Sequence, residues 1–188
     1  MRRIIPKSEI IAKIGEKRGF FANWMQKGDP KSQRTSKFDL FFANYVLYNA
    51  IYSCARPPRR PPKPGGRRGG ERKLAVDTAL RLLGAEAIAN DEIIQSSVRT
   101  IVWMMKNEQF HLVAPYTEDA TNWDSDLLER LESDCPERYA DGVLEMIYQV
   151  RCNLFHGEKA YRNFQEVFLR PCVAIIRRVN EMIMELVD

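Results

Sequence analysis

Val143-Leu144-Glu145-Met146-Ile147-Tyr148-Gln149-Val150-Arg151-Cys152-Asn153-Leu154-Phe155-His156-Gly157 carries apolar residues at Val143, Ile147, Val150 and Leu154, at spacings of four, three and four. That is the period of an α-helix with one face on a core, not the alternation of a strand. Gly157 supplies the residue that commonly ends a helix, and Pro136 marks the region where this one begins. The same period continues downstream through Phe164, Phe168, Cys172, Ile175, Val179, Met182 and Leu186. Pro171 lies inside that second pattern and is expected to kink or restart it, because its ring removes a hydrogen bond and clashes one turn back. The two helices are expected to form an antiparallel hairpin around a short turn at 157–160.

Upstream, helices are expected over 8–26, where Gly15 and Gly19 weaken the propensity, and again behind Ser36. Ser36-Lys37-Phe38-Asp39 fits the Ser-x-x-acid capping pattern. Behind it Phe38, Phe41, Tyr45, Tyr48 and Tyr52 recur at spacings of three and four. Such a stripe stacks bases in some single-strand binders, but inside a capped helix its period assigns it to the core. A short helix is expected over 74–83 before Gly84, and a longer one capped by Asn90 and running to Lys106. From 107 to 135 the period is irregular, with one short helix expected over 123–131. His111 in this part reads as structural or exposed. Neither a convincing strand nor an internal repeat appears. The expectation is a single all-α domain over 1–188, a bundle of five to six helices.

Composition excludes several classes of protein. The 188 residues are 45% hydrophobic and 29% charged, enough for a full core without staples. No apolar run approaches a membrane span, and the opening Met1-Arg2-Arg3-Ile4-Ile5-Pro6 is too short for a signal peptide, so a cytoplasmic protein with no membrane contact is expected. Cys54, Cys135, Cys152 and Cys172 include no C-x-x-C pair, and the histidines, His111 and His156, have no metal-ligand spacing around them. Neither a metal nor a cofactor is expected.

Residues 57–72 break the helical pattern: five Pro, four Gly, six Lys or Arg and one Glu in sixteen positions. This composition suits a solvated, disordered basic linker between the second and third helices. Its net charge of +5, against +4 for the whole chain, leaves the remainder at −1. Arg59, Arg60, Arg67 and Arg68 are therefore candidates for sequence-blind phosphate contacts. A loop kept soluble by its charges, or an SH3-type ligand, fits the same residues.

Arg151 and His156 near the end of the motif helix suit phosphate chemistry. A guanidinium is always charged and presents a planar fork of donors that matches phosphate oxygens. An imidazole exchanges a proton near neutral pH. The two residues are five apart, so a regular helix points them about 140° away from one another. One helix brings them together only if it loosens at its end; otherwise two copies must face their motifs at each other. The plain structural alternative is that Arg151 favours the helix C-terminus through the dipole while His156 caps a carbonyl.

Arg151-Cys152-Asn153-Leu154-Phe155-His156-Gly157-Glu158-Lys159 resembles the R-x4-6-H motif of HEPN domains, many of which read R-N-x-x-F-H-G-x-K at the end of a late helix. The resemblance is strong over these nine residues and looser over the helical pattern of the chain. It implies a metal-independent endoribonuclease with a composite site at a homodimer interface. By position, Arg151 would stabilise the transition state and His156 would act as general base or acid. Asn153 and Lys159 would contact the phosphate backbone, and Cys152 would take a supporting place. Cys152 departs from the family, which usually has a polar Asn, Asp or His there, and a thiol is a weak hydrogen-bond partner. The resemblance further implies RNA restriction in a toxin, defence or stress setting, with an antitoxin or nucleotidyltransferase as a partner. Two other functions remain open: a non-catalytic HEPN module binding RNA, a nucleotide or a protein, and a helical adaptor working through the proline-arginine linker.

Overall fold

The computed structural model describes residues 5–31, 36–56, 70–107, 109, 112, 118–155 and 163–187. Among these residues the chain is all-α and has no strand. The helices are α1 (Lys7–Gly15), α2 (Arg18–Lys27), α3 (Lys37–Cys54), α4 (Glu71–Leu83), α5 (Ala85–Ala89), α6 (Glu92–Lys106), α7 (Glu118–Leu131), α8 (Pro136–Phe155) and α9 (Asn163–Met184). Nine helices among the described residues stand where five to six were expected.

The differences have local causes. The helix expected over 8–26 divides at Glu16 and Lys17, where Lys17 leaves helical geometry at φ −107° and ψ 16°. Gly15 and Gly19 flank the break and disfavour a continuous helix. Asn90 does not open the helix to Lys106; it closes α5, and Asp91 caps α6 instead. Asp91 Oδ1 accepts from the backbone N–H groups of Ile93 and Ile94, both at 3.1 Å. A carboxylate that holds two otherwise orphaned donors at the positive end of a helix makes the stronger start signal. The helix expected over 123–131 begins earlier, at Glu118. Residues 57–69 of the basic segment lie outside the described residues, but Glu71 and Arg72 are not linker, since they form the first turn of α4.

Two helices follow the sequence closely. Ser36 caps α3, its Oγ accepting from Asp39 N–H at 3.1 Å and donating to Asp39 Oδ2 at 2.7 Å. Phe41, Tyr45, Tyr48 and Tyr52 are buried and Phe38 packs against them, so the aromatic stripe is core. The motif helix runs from Pro136 to Phe155, as α8.

α3 packs against α9, α2, α4 and α1, while α8 packs against α5, α7 and α4. α4 therefore joins the two groups. The expected hairpin of α8 with α9 is not a principal packing among the described residues: α9 lies instead between α3 and α6. It also continues through Pro171 as one helix instead of restarting. Its inward stripe is completed by α3 and α6, and polar ties fix it there: Asn180 Nδ2 donates to the Asn44 carbonyl at 2.9 Å and Arg178 Nε to Asp91 Oδ2 at 2.7 Å. Asn44 Nδ2 in turn donates to the carbonyls of Gly28 and Leu40. A Cβ on Gly28 would lie 2.5 Å from Asn44 Nδ2, so only glycine fits at this approach of α2 to α3. Arg130 binds α7 to α8 through Asp141 at 2.8 Å and Glu145 at 3.1 Å. Among the described residues, no helix is long and apolar enough to cross a membrane.

Candidate functional site

α8 ends at Phe155, one residue before His156. Arg151 lies in the last turns of α8, half-buried where α8 approaches α3. Its guanidinium carbon is 5.6 Å from the ring centroid of Tyr45 and 5.8 Å from that of Tyr148. At this range the negative faces of the rings attract a cation. Its Nη1 also meets the Cys152 sulfur at 3.9 Å. Burial works against the charge, but the Cys152 thiol and the two phenols outweigh it and hold the Arg151 pKa above its ordinary value. The charge is thus permanent, and the planar group is fixed on an aromatic seat.

Tyr148 has a second cation. Arg72 of α4 has its guanidinium carbon 5.6 Å from the same ring centroid. Its Nη2 donates to Gln149 Oε1 at 2.7 Å, and Gln149 Nε2 donates to Asn153 Oδ1 at 2.9 Å. Asn153 Nδ2 donates to the Leu112 carbonyl. Asn153, expected to touch phosphate, is only 5% exposed and has both ends of its amide engaged inside the protein. Its role here is to hold Gln149, and through it Arg72. Behind this relay Tyr48 O–H donates to the Ala75 carbonyl at 2.7 Å. Tyr52 O–H and Arg56 Nη2 both donate to Glu71 Oε1, at 3.0 and 3.1 Å. Burial pushes the hydroxyls of Tyr45, Tyr48 and Tyr52 well above the ordinary tyrosine pKa, so these phenols stay neutral.

Of the residues singled out in the sequence, Arg151, Cys152 and Asn153 are brought together here. His156, Lys159, Arg59, Arg60, Arg67 and Arg68 lie outside the described residues. Sequence reasoning missed Gln149 and Tyr148, and counted Arg72 only among the six cations of the basic segment. Tyr148 was within reach, three residues before Arg151 on one helix face. Arg72 was not, because only the packing of α4 on α8 brings it to the motif.

A groove of about 660 Å³ lies elsewhere, lined by Trp103, Arg99, Lys106, Glu132 and Tyr139 among others. Tyr139 precedes Arg151 by twelve residues, roughly 18 Å along α8. Lys106 and Glu132 neutralise each other there at 2.6 Å. Arg72 and Arg151 meet at the other end of α8, against Tyr148. Comparison of the chain with protein-family models, with curated proteins and with solved structures finds no match in any of the three.

Proposed function

We propose that this chain is a metal-independent endoribonuclease of the HEPN type, acting as a homodimer. The observation that carries the reading is the seat of Arg151: a permanently charged guanidinium held on the rings of Tyr45 and Tyr148 in the last turns of α8, five residues ahead of His156 in the sequence. A fixed cation supplies what an RNA phosphate needs as it becomes a crowded, more anionic phosphorane. The RNA provides the nucleophile. The 2′-oxygen forms a bond to phosphorus, the bond from phosphorus to the 5′-oxygen breaks, and the products carry a 2′,3′-cyclic phosphate and a 5′-hydroxyl. His156 takes the 2′-hydroxyl proton or gives one to the leaving 5′-oxygen, and with two chains facing each other one histidine serves each step. The cations of the basic segment add sequence-blind affinity for the phosphate backbone. RNA restriction in a toxin, defence or stress system, under an antitoxin or nucleotidyltransferase partner, is the setting that suits this activity.

A second reading, a non-catalytic module that binds RNA or a nucleotide, is favoured by one detail. The polar neighbour that HEPN motifs usually carry after the arginine is here a thiol against Arg151, and Asn153 is turned inward. Purified protein incubated with mixed RNA in EDTA distinguishes the two. The nuclease reading expects cleavage that persists in chelator and is lost in both His156→Ala and Arg151→Ala. RNA binding without cleavage by the unaltered chain would replace it with the second reading.

A further inference from the structure

Three half-buried arginines of this protein are held by carboxylates, while Arg81 is held by the Ile5 carbonyl. Arg130 meets Asp126, Asp141 and Glu145, Arg177 meets Asp29 and Glu181, and Arg178 meets Asp91, Glu181 and Glu185. Arg72 is different. Among the described residues it has no ion pair, and its head is fixed by the neutral amide of Gln149 at 2.7 Å. The adjacent carboxylate, Glu71, is engaged with Arg56 and Tyr52. A structural arginine gains from a carboxylate that cancels its charge. One oriented by an amide keeps its full charge and spare donors for something else.

The position of that charge is specific. Arg72 from α4 and Arg151 from α8 both lie against Tyr148, with guanidinium carbons 5.6 and 5.8 Å from one ring centroid. The two cations are thus no farther apart than the sum of those distances. Tyr148 is only 8% exposed, so the ring that both cations approach is an apolar wall that screens them less than water would. Two like charges on one ring repel to an extent set by their separation. The Asn153–Gln149–Arg72 relay nevertheless holds Arg72 in place, tying its head to the last turns of α8.

We infer that Arg72 is a second phosphate-binding residue of the same site, so that Arg151 holds the reacting phosphate of a single-stranded RNA and Arg72 holds its neighbour along the strand. This rests on the reading of the site as an RNA site, but not on cleavage. Arg72 binds and positions, and takes no part in proton transfer.

The test measures binding in a His156→Ala background, where substrate persists, using a short labelled single-stranded RNA over a range of salt concentrations. Arg72→Gln is expected to weaken binding about tenfold and to reduce the slope of log K against log salt by about 0.7, the share of one phosphate contact on a single strand. Arg72→Lys keeps the slope and loses part of the affinity, because the charge stays while the planar fork is lost. Arg138→Gln removes a cation at the far end of α8, where Arg138 pairs with Glu129, and is expected to leave the slope unchanged. Thermal melting checks that each variant is folded. In the His156-intact chain, Arg72→Gln should raise KM more than it lowers kcat. Equal affinity and slope for Arg72→Gln and its parent would overturn the inference even if the protein cleaves RNA. So would an equal loss in Arg138→Gln. A chain that binds RNA through Arg72 yet never cleaves would uphold the inference while the nuclease reading falls.

Discussion

Arg151→Lys is expected to lower the single-turnover rate of RNA cleavage about a hundredfold while the protein stays folded. Removing one well-placed donor from a site of developing negative charge costs about 10² to 10³ in rate. Lysine keeps the charge, but it cannot present two parallel N–H donors to a phosphate or lie flat on an aromatic face. The guanidinium carbon of Arg151 is 5.6 Å from the Tyr45 ring centroid and 5.8 Å from that of Tyr148. The lost ring contacts are worth about 0.5–1 kcal/mol in stability each, so melting should change only modestly. The measurement is a rate at saturating RNA, which separates the chemical step from binding. A lysine variant as fast as the parent would mean that only a point charge is needed and that the aromatic seat serves folding alone.

Alkaline solution is expected to unfold the protein in one step, and to do so through the tyrosines of α3. Tyr45 and Tyr48 are 2% exposed and Tyr52 is fully buried. Burial is the main reason that all three have raised pKa values in the folded chain. In the unfolded chain they titrate near pH 10. Above that pH the unfolded state binds fewer protons than the folded one, so stability falls as pH rises. Their contribution is complete below about pH 10 and is then lost at about 1.4 kcal/mol per tyrosine per pH unit, or about 4 kcal/mol per unit for the three. A domain stable by about 10 kcal/mol would then unfold near pH 12 to 13. Tyr139, which burial pushes up to about 12, adds to the same trend. Tyrosinate absorbance and helical circular dichroism should therefore change together. Ionisation of these tyrosines near pH 10 with the helices intact would show that the α3 stripe is open to water.

Much of this architecture could be read from the sequence, and the parts that could not share one cause. Periodicity identified α8 and α9, and Ser36 with Asp39 marked the start of α3, because these signals are local. The core role of the tyrosine stripe followed from its spacing. The break at Lys17, the shift of a cap from Asn90 to Asp91 and the placement of α9 between α3 and α6 depend on what each segment packs against. Asp91 illustrates this: it caps α6 and also receives Arg178 of α9, a partner 87 residues away in the chain. At the site, Arg151 stood out in the sequence by its motif, and Cys152 and Asn153 beside it by position. Arg72, 79 residues upstream, was marked only as the last cation of the basic segment, with no local sign that it meets Arg151. The inward turn of Asn153 was hidden for the same reason, since its partners are Gln149 and the Leu112 carbonyl.

The account depends most on the RNA supplying its own nucleophile next to a phosphate held by Arg151. The direct measurement is cleavage, in EDTA, of an RNA whose cut position has been mapped, beside the same RNA with a single 2′-deoxy substitution at the nucleotide on the 5′ side of that cut. The account predicts a 2′,3′-cyclic phosphate and a 5′-hydroxyl from the all-ribose strand, and no cut at the substituted position while other positions remain cleavable. Continued cutting at the deoxy position, or products that end in a 5′-phosphate, would contradict it.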